Sequence, residues 1–406
     1  MPFKHKEPTA IANSLPLVRN PERLNQFPMI EDVRQRAIAR LPVPIRGFLE
    51  CGSGYETCLT RNREAFNAII ITPRYVGNAS SPSLATHIFN HDYGVPFGIA
   101  PLGTVDLIWP GTEPILRQTA SDRHLPYVVG MLGAVTIEEA ARDPDHPHWL
   151  QVYPLRDSVI FDNIVDRAQK ANYDVLVLTI DCPTLGRRES MRRTGFSLPS
   201  PQFKSPRFIT SCLFYPHWLL RMIQHGMCFC PTFTPYVEQP TRLAISAFIR
   251  SQMPVAMSRD QIRRLRDRWP RHLVVKGIVN REEAQELAAM GVDAIWVSNH
   301  GGRQLDAAPS SLDALTTIRR TVGESLPLFI DSGVRSGLDV TRAIALGADF
   351  VFLGRPFLYG TIAFGENGGD TIVDILTDEL LNTLQILGID HPSTLRKSIN
   401  PPEINH

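Results

Sequence analysis

A regular alternation of short apolar runs with amphipathic segments constrains the fold of this chain more than any other feature. A short apolar run bounded by turn residues is typical of a buried strand. The amphipathic segment 281–290, closed by Gly291, is typical of a helix with a glycine stop. The apolar runs cover residues 95–100, 126–129, 149–153, 174–180, 273–277, 294–298, 326–331 and 350–354.

This pattern of strand and helix, repeated about eight times, predicts an α/β fold of the (β/α)8 TIM barrel type. An open doubly wound sheet is the alternative, but it usually has a Gly-x-Gly-x-x-Gly turn after its first strand. No such turn follows residues 95–100. In barrels the chemistry collects at the C-terminal ends of the strands, which we call the mouth.

Two segments lie outside the barrel pattern, which we place at residues 95–390, with a tail at 391–406. Residues 1–94 predict a helical lead-in, including a helix over 30–39, that packs on the barrel and covers its floor. A long insertion at about 190–257 interrupts the chain after the fourth strand, where such loops usually form lids or binding loops. Its stretch 214–223 is aromatic and apolar. We favour a helix packed on the domain; the alternative is a surface that contacts a membrane or a partner.

Composition indicates a globular protein with a small substrate. The chain has 406 residues, 43% of them hydrophobic, and its 42 Lys and Arg nearly balance 41 Asp and Glu. Nothing in this balance suggests a nucleic-acid partner. The cysteines are scattered without a paired framework, so we expect a reducing compartment and no metal site. No signal-peptide core or peroxisomal tail is visible, which predicts a cytoplasmic location.

The loop after the sixth predicted strand combines a base with an anion clamp. His300 and Arg303 are three residues apart in Ser298-Asn299-His300-Gly301-Gly302-Arg303, directly after the apolar run 294–297. A lone histidine in a loop is more often structural than catalytic. The functional interpretation gains weight because other predicted strands also end in polar residues, namely Gln151, Tyr153, Thr179, Asp181, Lys276 and Ser298.

The last two strands end in loops suited to a phosphate group. Asp331-Ser332-Gly333-Val334-Arg335 and Gly354-Arg355 combine small residues, which expose backbone N–H groups, with arginines. Barrels commonly hold phosphate at these two loops. The sequence therefore predicts a phosphate-bearing ligand in the mouth.

With these residues, the chain resembles the FMN-dependent α-hydroxy acid oxidase and dehydrogenase family, which includes glycolate oxidases, lactate oxidases and mandelate dehydrogenases. The resemblance extends from about Leu41 through 185–189, 275–277, 298–306, 331–335 and 354–355. The insertion is most similar to the mandelate dehydrogenase branch, in which it can associate with membrane. The resemblance also implies a homotetramer.

The resemblance implies that FMN is the cofactor and that the substrate is a small 2-hydroxy acid. His300 matches the base that removes a proton while a hydride equivalent passes to flavin N5, and Asp181 matches the carboxylate that orients it. Arg303 and Arg188 match the pair that holds the substrate carboxylate, and Tyr153 matches the phenol that bonds the substrate oxygen.

The same resemblance implies a set of cofactor contacts. Lys276 matches the cation beside the N1 and O2 edge of the flavin, and Asp331 matches the acceptor of the ribityl chain. The remaining implied contacts are Pro101, Leu102, Gly103, Gly130, Gln151, Thr179, Ser298, Ser332, Gly333, Val334, Arg335, Gly354 and Arg355.

The chain departs from the family pattern at two places. Phe48 stands where the family usually has a second substrate tyrosine, which removes one hydroxyl from the substrate carboxylate. Gly130-Met131-Leu132 replaces a more polar sequence after the second strand, and Leu132 makes the pocket wall more apolar. We infer a substrate with a larger or more hydrophobic side chain than glycolate.

Three functional classes stay open at this stage. The first is FMN-dependent oxidation of an (S)-2-hydroxy acid to the 2-oxo acid. The second is a related FMN oxidoreductase acting on a larger or non-acid biosynthetic intermediate, and the third is a flavin-binding protein without activity, which the complete catalytic set disfavours. The electron acceptor, whether oxygen, a quinone or a cytochrome, is not readable from these residues.

Overall fold

The computed structural model describes residues 18–73, 75–76, 81–143, 146–195, 206–226, 230–253 and 255–398. The predicted tail beyond residue 398 lies outside this range, and the proposed division at residues 94 and 390 stays a prediction. The strands are β1 Thr86–Ile88, β2 His91–Tyr93, β3 Phe97–Ile99, β4 Val128–Gly130, β5 Trp149–Val152, β6 Val175–Thr179, β7 His272–Ile278, β8 Ala294–Val297, β9 Leu328–Ile330 and β10 Phe350–Leu353.

Helices connect and surround these strands. The α-helices are α1 Pro21–Gln26, α2 Ile30–Ile38, α3 Val43–Glu50, α4 Thr57–Asn67, α5 Val105–Ile108, α6 Thr112–Arg123, α7 Ile137–Ala140, α8 Ser158–Lys170, α9 Glu189–Arg193, α10 Pro206–Leu213, α11 Pro216–His225, α12 Arg242–Gln252, α13 Arg259–Arg268, α14 Arg281–Ala289, α15 Ser311–Val322, α16 Gly337–Ala345, α17 Arg355–Phe364, α18 Gly368–Leu387 and α19 Leu395–Ser398. Short 3-10 turns cover Pro231–Tyr236, His300–Gly302, Gly365–Asn367 and Pro392–Thr394.

The predicted TIM barrel is confirmed. Strands β3 to β10 form one eight-stranded sheet in the order β3-β10-β9-β8-β7-β6-β5-β4, and every pair in it is parallel. The two ends of this order meet where the Ile99 N–H donates to the Pro126 carbonyl at 2.9 Å and Ile99 bridges Tyr127. All eight apolar runs become strands because helices cover the outside and side chains fill the inside, so both faces are buried.

The floor of the barrel is covered by a hairpin of β1 and β2 rather than by the predicted lead-in helix. Phe89, at the hairpin turn, lies 5.7 Å from Trp149 and 5.9 Å from Phe329, measured between ring centroids. The Trp149 indole N–H donates to the Tyr93 hydroxyl at 3.0 Å. Helix α2 packs against the outer helix α17, where Arg36 Nε donates to the Ala363 carbonyl at 3.2 Å. The expectation that this helix covers the floor is therefore corrected.

The predicted insertion also follows the fourth barrel strand, between β6 and β7. Helix α11 packs on the domain, as we favoured: the Trp218 indole N–H donates to the Ile108 carbonyl at 2.9 Å, and the ring is buried. The opposite side of α10 and α11 is apolar and exposed, with Ile209, Leu213, Phe214, Leu220 and Ile223 reaching solvent. Across the described residues, helices with the length and apolarity for a membrane span are absent.

Candidate active site

The loop after β8 presents His300 at the mouth and holds it through several hydrogen bonds. His300 has a φ of +58°, a left-handed conformation that costs free energy for a residue with a side chain and is common at functional sites. Its backbone N–H donates to Ser298 Oγ at 3.1 Å, and the Gly301 N–H donates to Ser332 Oγ at 2.9 Å. These contacts fix the loop between β8 and β9.

His300 and Asp181 form a directed pair. Nδ1 of His300 lies 3.0 Å from Oδ1 of Asp181. Burial raises the pKa of Asp181, but the electrostatic interaction and hydrogen bond with His300, together with Lys276, outweigh it, and the net pKa lies below its usual value. An ionised carboxylate only accepts hydrogen bonds, so Nδ1 carries the proton and Nε2 is the free acceptor.

Two guanidinium groups, those of Arg303 and Arg188, lie close enough for their charges to act on each other. Nη1 of Arg303 donates to the carbonyls of Phe48 at 3.0 Å and Leu49 at 3.3 Å, and its guanidinium lies 5.2 Å from the centroid of the Phe48 ring. Burial, followed by the charge of Arg188, lowers the pKa of Arg303 to about 10. Nε of Arg188 is buried without a hydrogen-bond partner. Within the described chain neither arginine forms an ion pair, so the two charges make a site for an anion.

Tyr153 lies within the electrostatic reach of these groups. Burial, together with the charges of Cys182 and Asp181, raises the pKa of its phenol well above the usual value. The phenol therefore stays protonated and can donate a hydrogen bond. Its backbone N–H contacts Sδ of Met131 at 2.9 Å, which joins the end of β5 to the loop after β4.

Deeper in the mouth, a buried lysine is neutralised by a carboxylate. Lys276 Nζ donates to Ser298 Oγ at 2.7 Å and forms an ion pair with Asp331. Asp331 Oδ1 also accepts from the hydroxyls of Ser298 at 2.5 Å and Ser332 at 2.7 Å. Lys276 lies in β7, and Ser298 and Asp331 directly follow β8 and β9, so three neighbouring strands supply the network that orients the lysine.

The two phosphate-type loops bring arginines together. Arg355 donates to the carbonyls of Leu49, Cys51 and Gly301 at 3.0–3.2 Å. Burial lowers the pKa of Arg355, and the charge of Arg303 adds to this effect. Burial likewise lowers the pKa of Arg335, with the charges of Arg355 and Arg63 in the same direction. Gly333 has a φ of +105°, which only glycine adopts readily.

The loops after β3 and β4 lie side by side at the same mouth. The Thr104 N–H donates to the Leu132 carbonyl at 2.9 Å, and the Met131 N–H donates to the Gln151 carbonyl at 2.9 Å. Gly130 pairs with Gln151 in the sheet. This arrangement places Pro101, Leu102, Gly103, Gly130 and Leu132 together on one wall.

Sequence reasoning did not identify Cys182 or a buried pair of asparagines. Sγ of Cys182 lies 3.3 Å from Oδ1 of Asp181 and 3.6 Å from Nδ1 of His300. Asn62 and Asn299 exchange side-chain hydrogen bonds of 2.9 and 2.7 Å. Cys182 could have been identified from its position directly after Asp181. No local sequence pattern marks Asn62.

The comparisons with known proteins agree with this geometry. A family model described as FMN-dependent dehydrogenase matches residues 37–401. The chain belongs to the FMN-dependent dehydrogenase family. It is 34% identical to (S)-mandelate dehydrogenase of Pseudomonas putida over 361 residues, covering 88% of this chain and 90% of the relative. It is 33% identical to L-lactate dehydrogenase of Acinetobacter baumannii (strain AYE) over 362 residues, covering 88% and 93%.

A solved structure agrees as well. The crystal structure of the monotopic membrane protein (S)-mandelate dehydrogenase superimposes with a TM-score of 0.85 at 32% identity, covering 92% of this chain and 98% of that one. The predicted family and fold are confirmed.

FMN is the cofactor of this family, as the resemblance implied, and the mouth has the donors to hold it. Nε2 of Gln151 and Oγ1 of Thr179 are buried without a hydrogen-bond partner, an arrangement that costs free energy unless a ligand pairs them. Thr179 is the register neighbour of Lys276 in the sheet. Gln151, Thr179 and Lys276 would therefore contact the ring, and Arg335 and Arg355 the phosphate.

Proposed function

We propose that this protein oxidises an (S)-2-hydroxy acid to the 2-oxo acid, with His300 as the base. The observation that carries this proposal is the 3.0 Å contact between Nδ1 of His300 and Asp181, next to an unpaired buried Nε of Arg188. A proton acceptor and a pair of arginines in one mouth suit a substrate that carries both a carboxylate and a hydroxyl group that must lose its proton.

Each side chain has a role that its surroundings support. Arg303 and Arg188 bind the substrate carboxylate, since a planar guanidinium matches its two oxygens. Tyr153 donates to a substrate oxygen. Nε2 of His300 accepts the substrate proton, and Asp181 stabilises the imidazolium that results. Bound FMN supplies the two-electron acceptor, and the charge of Lys276 favours negative charge near it.

The pocket favours a substrate with an apolar side chain. Phe48 offers no hydroxyl, Leu132 is only partly buried, and Gly130 has no side chain to fill space. A Cβ built on Gly130 would be in ordinary van der Waals contact with Leu102 and Gln151, 3.5–3.7 Å away, so the glycine leaves the volume of one methyl group unfilled at this wall. We expect mandelate or longer aliphatic 2-hydroxy acids to react better than glycolate.

The test is anaerobic mixing of the holoenzyme with glycolate, lactate, mandelate and a long-chain 2-hydroxy acid while the flavin absorbance is followed. Bleaching by one or more of these acids, with the apolar ones fastest, is expected. His300→Gln should bind flavin and stay oxidised. Recovery of colour with air indicates an oxidase, and recovery only with a quinone or a cytochrome indicates a dehydrogenase. A flavin that no 2-hydroxy acid bleaches contradicts the proposal.

That last outcome favours a second candidate, a related FMN oxidoreductase that acts on a larger or non-acid biosynthetic intermediate. Phe48 motivates this candidate, because it lacks the hydroxyl that a tyrosine would donate to a substrate carboxylate in the family pattern. Retained flavin binding with no reaction on the acid panel supports this candidate.

We further propose that the protein is cytoplasmic with peripheral membrane contact through α10 and α11, and that it assembles as a homotetramer. The exposed side chains of Phe214 and Ile223, 83% and 81% accessible, support the membrane contact. Phe214→Glu with Ile223→Glu should abolish sedimentation with anionic lipid vesicles and leave turnover with a soluble acceptor unchanged. Light scattering in solution tests the tetramer.

A further inference from the structure

Asp181, Cys182 and His300 bring three different metal-binding atoms together at the mouth. Asp181 and Cys182 follow β6, and His300 follows β8. The separations are 3.3 Å from Sγ to Oδ1, 3.6 Å from Sγ to Nδ1 and 3.0 Å from Nδ1 to Oδ1. A tetrahedral zinc ion with bonds of about 2.3 Å to sulfur and about 2.0–2.1 Å to nitrogen and oxygen separates its ligands by roughly 3.3–3.6 Å. The Sγ–Nδ1 separation already fits this geometry, and the two separations to Oδ1 are about 0.3 Å shorter than it requires.

A second observation concerns Oδ2 of Asp181, the carboxylate oxygen that does not contact His300 or Cys182. The Asp181 side chain is 9% exposed, and its Oδ2 is buried without a hydrogen-bond partner. All three residues are nevertheless partly accessible, so an ion from solvent can reach them. The nearby Lys276 forms an ion pair with Asp331, and a carboxylate with a thiolate balances the charge of a divalent cation.

We propose that Asp181, Cys182 and His300 form a site at which Zn²⁺ binds and inhibits this enzyme. The fourth coordination position is open to water. Zinc binds sulfur as the thiolate, so the Cys182 proton passes to solvent when the metal binds. Zinc also takes the Nδ1 lone pair, and the remaining imidazole proton then sits on Nε2.

Inhibition follows from this change of tautomer and rests on the proposed role of His300. With a proton on Nε2 and a metal on Nδ1, the imidazole has no free lone pair to accept a proton from the substrate. Zinc binding itself requires only the three side chains. Binding and inhibition can therefore be measured separately.

The binding test uses the FMN-loaded protein and ZnCl2 in calorimetry, with CdCl2 as a probe whose thiolate complex absorbs in the ultraviolet. Cys182→Ala should bind zinc at least about 100-fold more weakly and lose the cadmium band, because even an outer partner of a metal ligand is worth 10–100-fold in affinity. Cys212→Ala, which removes another buried thiol from α10, is the matched control and should bind like the wild type. His300→Gln should weaken binding as well.

Equal zinc affinity in the wild type and Cys182→Ala, or no binding by the wild type, overturns the site. For inhibition, turnover of the wild type should fall with added zinc and recover with EDTA, whereas turnover of Cys182→Ala, relative to its own rate without zinc, should not change at the same zinc concentration. If no 2-hydroxy acid reacts but zinc still binds through Cys182, the proposed function fails and the metal site stands.

Discussion

Asp181 determines which nitrogen of His300 can accept a proton. Asp181→Asn keeps the shape of this contact, but the amide donates to Nδ1 and moves the imidazole proton to Nε2. We expect flavin reduction to slow by roughly 10²–10⁴-fold, as expected when a base is held in the wrong tautomer. Stopped-flow measurement of flavin bleaching checks this. Affinity for the 2-oxo acid product should change little, since the arginine pair is intact, and an unchanged reduction rate would contradict the role of Asp181.

Arg303 combines a structural and a binding task in one guanidinium. One nitrogen is used by the carbonyls of Phe48 and Leu49, which leaves others for a carboxylate. Arg303→Lys loses the planar pair of donors, and we expect KM to rise about tenfold or more because a hydrogen bond to a charged group is worth about 1.5–3 kcal/mol. Steady-state kinetics measures this. The control is Arg187→Lys. Arg187 is exposed, precedes Arg188 in the sequence and pairs with Glu189, so this change should leave KM unaltered.

Phe48 offers the reverse experiment, a gain of one hydroxyl. Its ring lies against the Arg303 guanidinium, so Phe48→Tyr should add a donor close to the substrate carboxylate. We expect kcat/KM for lactate to rise about tenfold, the value of one hydrogen bond to a charged acceptor, with a smaller effect on acids that bind mainly through apolar contact. A fall for every acid would show that Phe48 does not face the substrate.

Among the elements, helix α4 holds the catalytic loop through Asn62. Its side chain exchanges hydrogen bonds with Asn299 and accepts from the Ser311 N–H at 3.2 Å. Asn62→Ala leaves buried groups unpaired, and we expect the free energy of unfolding to fall by about 1–3 kcal/mol, with slower flavin reduction because His300 loses its support. Thermal melting and stopped-flow kinetics measure the two effects. Asn67→Ala, at an exposed position of the same helix, should affect neither.

The elements also show which structure the sequence could predict. The eight barrel strands were predictable because each is a compact apolar run, buried on both faces. The hairpin β1–β2 was not, because His87, His91 and Asp92 interrupt its apolar pattern, and its place depends on distant contacts such as that of Tyr93 with Trp149. The role of Asn62 could not be predicted for the same reason, because its partner Asn299 is 237 residues away in the sequence.

At the scale of the whole molecule, the buried carboxyl group of Glu113 makes the free energy of unfolding depend on pH. Glu113 of α6 is 1% exposed, and the Ala134 N–H donates to it. Burial raises the pKa of Glu113 to about 7, although the Ala134 hydrogen bond acts in the opposite direction. This carboxyl is therefore protonated in the folded protein over a range of pH in which the unfolded chain has lost the proton.

The raised pKa of Glu113 makes the folded protein less stable as the pH rises. The window runs from pH 4.5, the ordinary pKa of Glu, to about 7, and within it the folded state holds a proton that the unfolded chain has lost. The contribution of Glu113 to the free energy of unfolding is therefore fully present below this window and is lost as the pH rises through it. Glu113→Gln cannot titrate, so its melting temperature should rise relative to that of the wild type between pH 4.5 and 7. Above pH 7 the difference between the two melting temperatures should stay constant. His146, whose pKa burial lowers to about 4, has the opposite slope but is present in both proteins. A constant difference between the two melting curves would mean that Glu113 is ionised in the folded barrel.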